Sequence, residues 1–217
     1  MSMKPPYTIY RKSVRPPTAN TLKPGKNNKK LGWIVTARKW VGKKVFSLTL
    51  EERSTCPTTC HHWEDCYGNN MPFAHRHSKK GLIHQLRREV GDLISRHPAG
   101  VVIRLHVLGD FYSIPYVQFW RKMLMEHPTL SIFGYTARMD RIGRSILDLN
   151  GDFPEQCVIR YSSNCETINY PEKTLFAANE DFEGQHFVCP EQTSKVESCA
   201  DCGLCWTSPR TVKFLSH

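Results

Sequence analysis

Val101-Val-Ile-Arg-Leu-His-Val-Leu-Gly-Asp110 is the stretch on which the fold turns. Its first seven residues are rich in β-branched side chains and carry no turn signal, which predicts a buried strand. A helical stripe precedes it. Leu82, Ile83, Leu86, Val90, Leu93 and Ile94 recur at helical spacing between Gly81 and His97, and Pro98-Ala-Gly100 ends the run. A second stripe follows. Ser113 is an N-cap for a helix reaching about His127, with Ile114, Val117, Trp120, Met123 and Leu124 on its buried side, and Pro128 breaks it. Farther out, Gly32–Arg38 and Val45–Leu50 are strand-like upstream, joined by a turn at Val41–Lys44. Downstream, Leu130–Tyr135, Val158–Tyr161 and His186–Cys189 are strand-like, Arg141–Leu149 is a short helix, and Thr174–Asn179 suggests one helical turn. Strand and helix alternate from Val45 to Cys189. The fold class expected is therefore α/β, with four to five parallel strands joined by helical crossovers in an open sheet or a partial barrel.

In such sheets chemistry gathers at the carboxyl ends of the strands. The unusual residues sit there. Cys56-Pro-Thr-Thr-Cys60-His-His-Trp-Glu-Asp-Cys66-Tyr67 follows the first strand, Gly109-Asp110 the next, Arg138 the third, Ser162-Ser-Asn-Cys165 the fourth, and Cys189 ends the last. Cys56, Cys60 and Cys66 can bind one face of a metal centre and leave a position open, as a catalytic centre requires. The alternative is a closed zinc site completed by His61, His62 or a distant cysteine. A second group comprises Cys189, Cys199, Cys202 and Cys205. Four thiolates saturate a tetrahedral zinc or a cubane cluster, and the compact run is closer to ferredoxin spacing than to a zinc knuckle. Cys157 opens a strand and reads as core. Cys165 is a ligand, a reactive thiol or, most simply, a buried one. His61, His62, His75, His77 and His106 read as structural before they read as ligands.

The 217 residues fit one domain, or one with a small appendage. No apolar run is long enough for a membrane span and the first residues lack the hydrophobic segment of a signal peptide, so an intracellular, cytoplasmic setting is expected. Nine cysteines in a reducing compartment read as metal ligands before disulfides. Net charge is +10 and the pI about 9.2. The basic excess lies at the start: Arg11, Lys12, Arg15, Lys23, Lys26, Lys29 and Lys30 all precede the first acidic residue, Glu51. Residues 1–30, with Pro5-Pro6, Pro16-Pro17 and Pro24-Gly25, suggest an extended basic arm that either binds nucleic acid or is simply solvated. Tyr7, Tyr10, Trp33 and Trp40 could stack on bases or anchor the arm. The division expected is an arm at 1–30, an α/β core at 31–188 and a Cys-rich metal-binding segment at 189–217.

Several separated motifs carry a family resemblance. Val45-Phe-Ser-Leu-Thr-Leu50 leading to Cys56-Pro, Cys60 and Cys66-Tyr67-Gly68, then Arg104-Leu-His-Val-Leu-Gly-Asp-Phe-Tyr-Ser113, Phe133-Gly-Tyr-Thr-Ala-Arg138, Ile159-Arg-Tyr-Ser162 and Cys199-Ala-Asp-Cys202-Gly-Leu-Cys205-Trp206 resemble the phage gene product 88-like proteins. The likeness covers roughly residues 45–206 and implies a phage or prophage origin, hence a host cytoplasm. More distantly, the layout resembles radical S-adenosylmethionine enzymes, in which a three-cysteine loop after the first barrel strand binds a [4Fe–4S] cluster. Here the cysteine spacing is three then five residues, where that superfamily has three then two.

That resemblance implies a radical-enzyme-like core holding one or two [4Fe–4S] clusters, with S-adenosylmethionine on the open iron and a reductant protein as partner. Tyr67, Gly109, Asp110, Arg138 and Ser162 make up the expected cofactor-binding set, and the substrate expected is a nucleic acid or nucleotide. The rival expectations are a zinc-stabilised nucleic-acid-binding protein without catalysis, and an iron–sulfur electron carrier or sensor.

Overall fold

A computed structural model describes residues 7–162, 174–178 and 183–215. In chain order the strands are β1 (Val14–Arg15), β2 (Lys23–Pro24), β3 (Lys44–Ser47), β4 (Arg76–His77), β5 (Val101–Leu105), β6 (Leu130–Thr136), β7 (Cys157–Ser162), β8 (Phe176–Ala178), β9 (His186–Val188) and β10 (Thr211–Lys213). The helices are α1 (Glu52–Thr55), α2 (Leu82–Arg96), α3 (Ile114–Glu126), α4 (Arg141–Asp152), α5 (Cys199–Cys202) and α6 (Leu204–Thr207). Among the described residues one sheet has eight strands in the order β2-β3-β5-β6-β7-β8-β10-β9. All its pairings are parallel except β2 on β3. The protein is thus mixed α/β with a mostly parallel, open sheet.

The period of two along each strand sorts the side chains onto two faces. Val101, Ile103, Leu105, Ile132 and Ile159 meet the apolar stripes of α2, α3 and α4, with Trp120 fully buried among them. Each such side chain contributes about 1.5–3 kcal/mol on burial. Val45, Val102, Phe133 and Val158 occupy the other face, and there Leu31, Val35, Trp40, Ala200 and Trp206 cover them. Trp40 stacks on Trp206 with ring centroids 5.4 Å apart. The cysteine-rich tail is therefore the lid of the sheet's second face. Ser113 caps α3 as its sequence suggests, its side chain accepting from the Tyr116 N–H. No helix among the described residues is long and apolar enough to cross a membrane.

Three local expectations are corrected. The stretch read as an extended arm is packed onto the body from Tyr7 onward. β1 pairs with β4, β2 extends the sheet, and the Thr21 and Leu22 N–H groups donate to the Glu89 carboxylate of α2 at 3.1 and 3.0 Å. Few aliphatic residues are needed there because buried carboxylates capture the backbone donors. Gly32–Arg38 forms no strand beyond a single bridge between Ile34 and Lys44. Positive φ at Gly32, Arg38 and Trp40 turns the chain away from the ladder. The described part of Thr174–Asn179 is β8, because the Tyr161 N–H donates to Leu175 O and favours extended pairing over a helical turn. Cys165 lies outside the described residues.

His106 leaves β5 with φ +58°, a conformation that histidine seldom adopts. Its ring is buried, with Nε2 3.1 Å from the Tyr116 hydroxyl and the Phe111 ring edge-on at 4.7 Å. Nδ1 has no partner. Burial pushes its pKa down to about 3, so it is neutral in the fold. The unfolded chain takes up this proton near pH 6.5 and the folded chain does not. Stability should therefore be present above pH 6.5 and be lost as pH falls toward 3, by up to about 1.4 kcal/mol per pH unit. Asparagine accepts the left-handed backbone and has no proton to gain. Urea midpoints measured against pH should slope less steeply in His106→Asn. A variant as acid-sensitive as the parent would assign the titration to another group.

Candidate metal centres

β3 delivers the chain through Leu50 to α1, and α1 ends at Cys56, whose N–H donates to Glu52 O at 2.9 Å. Tight backbone turns then shape the loop: Cys60 N–H to Pro57 O at 3.0 Å, Trp63 N–H to Cys60 O at 3.2 Å, and Asn69 N–H to Cys66 O at 2.7 Å. Arg53 braces it from beneath, donating to Trp63 O and to Asn69 Oδ1, with its guanidinium 4.9 Å from the Trp63 ring. Burial is the main cause that raises the Cys56, Cys60 and Cys66 thiols. Cys56 is raised further by the negative fields of Asp110, Cys60 and Cys66. These causes keep the thiols protonated in the metal-free protein, and a bound cation would reverse that by favouring the thiolates. His62 turns to the surface, its Nδ1 3.2 Å from Asp65 Oδ2, and His61 is exposed.

Asp110 is brought beside this loop but its oxygens are engaged by protein. Oδ1 accepts from the Phe111 N–H and the Thr136 hydroxyl at 2.7 Å each, and Oδ2 from the Ala137 N–H at 2.8 Å. Burial raises its pKa to about 6 against the pull of those bonds. Arg138 donates to Phe111 O at 2.7 Å, to Thr55 O at 2.8 Å and to Asp140 at 3.1 Å. Together they tie the ends of β5 and β6 to Thr55, the residue before Cys56. Gly109, at φ +88°, permits this closeness: a Cβ there would lie 2.7 Å from both Leu50 Cβ and Thr55 Oγ1. The hydrogen bonds of Asp110 and Arg138 position the thiol loop. Tyr67 opens a 3-10 turn (Tyr67–Asn70) beside Cys66 and is 44% exposed. Ser162 ends β7, opposite Ala177 of β8 and three strands away from β3.

Sequence reasoning missed Glu52 and Arg76. Arg76, fully buried, donates from Nε to Glu52 Oε2 at 2.8 Å and also bonds to Gly68 O, Met71 O, Ala74 O and Ser13 Oγ. Thr8 closes the network on Glu52 at 2.7 Å, and the Arg76 guanidinium lies 5.2 Å from the Tyr10 ring. The only sequence signal was a charged pair flanking the cysteine loop.

The second group does converge. Cys189, Cys199, Cys202 and Cys205 line one small hollow together with Trp206. Ser198 caps α5, and Gly203, at φ +65°, reverses the chain between α5 and α6. Burial pushes Cys199 up to about 12. Burial raises Cys205 too, while a hydrogen bond from Tyr135 pulls it back. Arg160 locks the tail, donating to Cys205 O, Phe176 O, Arg210 O and Ser208 O. Among the described residues no group of three or more His, Cys, Asp and Glu side chains stands drawn up to hold a metal ion, so the thiols are gathered but not closed. All described cysteines are free, and Cys157 is core, with Sγ 3.3 Å from Asn150 Oδ1.

Residues 12–208 match the model of the family described as Gene product 88. The Gene 88 protein of Mycobacterium phage L5 is 24% identical over 139 residues, which are 55% of this chain and 56% of that protein. The chain therefore spans about half the length of that relative. No solved structure matches the chain. With nine-tenths of its length inside the family model, from before the three-cysteine loop to beyond the four-cysteine tail, this chain belongs to the Gene product 88 family.

Proposed function

We propose that the chain is an iron–sulfur protein with two unequal centres. Cys189, Cys199, Cys202 and Cys205 would hold one [4Fe–4S] cluster with every position filled, and Cys56, Cys60 and Cys66 a second with one iron open. The observation that carries this reading is the convergence of the four tail thiols on one hollow, unpaired as disulfides. Seven of the nine cysteines fall into the two groups. The donor set suits iron, because thiolates are the ligands that clusters require. An open cluster, reduced by a partner protein, supplies an electron to the sulfonium of S-adenosylmethionine when both are bound. The chain's own part is positional. Asp110 and Arg138 fix Thr55 and so the approach to Cys56, Arg53 and Arg76 brace the loop, and Tyr67 stands at its rim.

Structural zinc at the tail is the second reading, favoured because the tail covers a sheet face that would otherwise be bare. Anaerobic purification should yield iron, acid-labile sulfide and broad visible absorption. The reduced protein's electron paramagnetic resonance spectrum should change on adding S-adenosylmethionine. Stoichiometric zinc in a colourless protein would sink the cluster reading. An unchanged spectrum would leave the clusters but remove the radical chemistry. In that event the joint His61→Ala and His62→Ala variant tests whether an imidazole closes the site, since opening it should create the missing response.

A further inference from the structure

A shallow, open hollow of about 270 Å³ lies between the N-terminal segment and the start of α1, lined by Tyr7, Arg11, Val14 and Glu51. It lies outside both thiol groups. Its walls differ in chemistry. Tyr7 is 51% exposed and presents an aromatic ring, with the Arg11 guanidinium 5.1 Å from the ring centroid. Val14 supplies an apolar edge. Glu51 is buried, and its Oε1 accepts from the Thr8 N–H at 3.2 Å. Its other oxygen takes no hydrogen bond among the described residues. An aromatic ring with a guanidinium over one face, beside a carboxylate that can accept from an N–H edge, makes up chemistry that binds a nucleobase.

The surroundings fit a nucleic-acid strand. Arg11, Lys12 and Arg15 are exposed beside this hollow, and no acidic residue precedes Glu51. Such a surface neutralises phosphates on either side of an inserted base. Only an unpaired base can enter a pocket of this kind, because in a duplex the N–H edge is already paired and the faces are stacked. The pocket is also close to the first thiol group. Glu51 immediately precedes α1, its carbonyl accepts the Thr55 hydroxyl at 2.7 Å, and Cys56 is the next residue.

We propose that this hollow binds a base of a single-stranded nucleic acid and holds that strand one helical turn from the three-thiol loop. The strand's role as substrate rests on the cluster reading, whereas the pocket itself does not. The test is fluorescence anisotropy on the purified full-length protein, with its metal as isolated. The probes are a labelled oligodeoxycytidine, whose N4 amino group suits Glu51, an abasic strand of equal length, and the corresponding duplex. The oligodeoxycytidine should bind about tenfold tighter than the abasic strand, the increment of a single stacked base. Tyr7→Ala should remove that difference and leave abasic binding unchanged. Arg11→Gln should reduce the salt slope by about one phosphate. Equal binding of the abasic strand or the duplex, or an unchanged affinity in Tyr7→Ala, overturns the pocket. Should Tyr7→Ala fold poorly, the comparison of intact with abasic strand in the parent protein still decides. A zinc-bearing protein that discriminates the abasic strand would keep the pocket and lose the clusters. An iron-loaded protein that does not discriminate would do the reverse.

Discussion

Arg76→Ala should destabilise the protein by about 3–5 kcal/mol, the cost of stranding one member of a buried ion pair. Glu52 is 2% exposed and faces no other cation at ion-pairing distance among the described residues, so without Arg76 its carboxylate keeps only the Thr8 hydroxyl. The carbonyls of Gly68, Met71 and Ala74 each lose a donor at the same time, the first two keeping only the Met71 and Ala74 N–H groups. Those carbonyls lie in the chain immediately after Cys66, so the loop should loosen along with the global loss. Urea unfolding measures the first effect and proteolysis within residues 57–75 the second. Arg76→Met combined with Glu52→Leu removes both charges and should recover much of the stability, because neither partner is left desolvated alone. A single Arg76→Ala change costing under about 1 kcal/mol would mean that water enters this network and that it does not anchor the loop.

The second large effect is at the tail. Cys202→Ser exchanges one atom at a half-buried position, so packing alone predicts a minor loss. If the four thiols hold a metal, the loss is instead that of a ligand to a centre whose binding is coupled to folding. Structural zinc in small peptides is worth about 10–16 kcal/mol, as large as the whole stability of an ordinary domain. The variant should be recovered as insoluble or unfolded protein, because Ala200 and Trp206 are held against Val102 and Phe133 by the same tail. A soluble, cooperatively folding Cys202→Ser protein that has lost only its redox signal would make the tail an electron-transfer centre and not a staple.

The central strands and helices were legible because they are periodic. Val101–Leu105, Leu130–Thr136 and the stripes of α2 and α3 bury one face each, and burial writes itself into residue type. Two of the tail strands were not legible. Phe176–Ala178 and Thr211–Lys213 are three residues long, too short for a period, whereas His186–Val188 is legible as a strand but its pairing with a later segment is not. The docking of Tyr7–Lys30 was equally hidden, because its anchors are backbone N–H groups received by Glu51 and Glu89. At the site, spacing singled out the thiols as candidate ligands, and strand ends drew attention to Asp110 and Arg138. It could not show that those two side chains use their hydrogen bonds on protein. Arg160 and Arg76 were invisible for a related reason: each serves main-chain oxygens, and main chain is the same at every residue.

β10 lies between β8 and β9 and pairs with both, although both precede it in the chain. On the ribosome, then, the two flanking strands emerge with a gap between them that only a later segment can fill. Until Thr211–Lys213 leaves the exit tunnel, each presents an unpaired edge, and Arg160 has no Ser208 or Arg210 carbonyl to hold. Cys189, Cys199, Cys202 and Cys205 have by then already been translated. A nascent chain stalled just short of Thr211 would carry all four thiols on an unsealed scaffold, a natural target for chaperones and proteases.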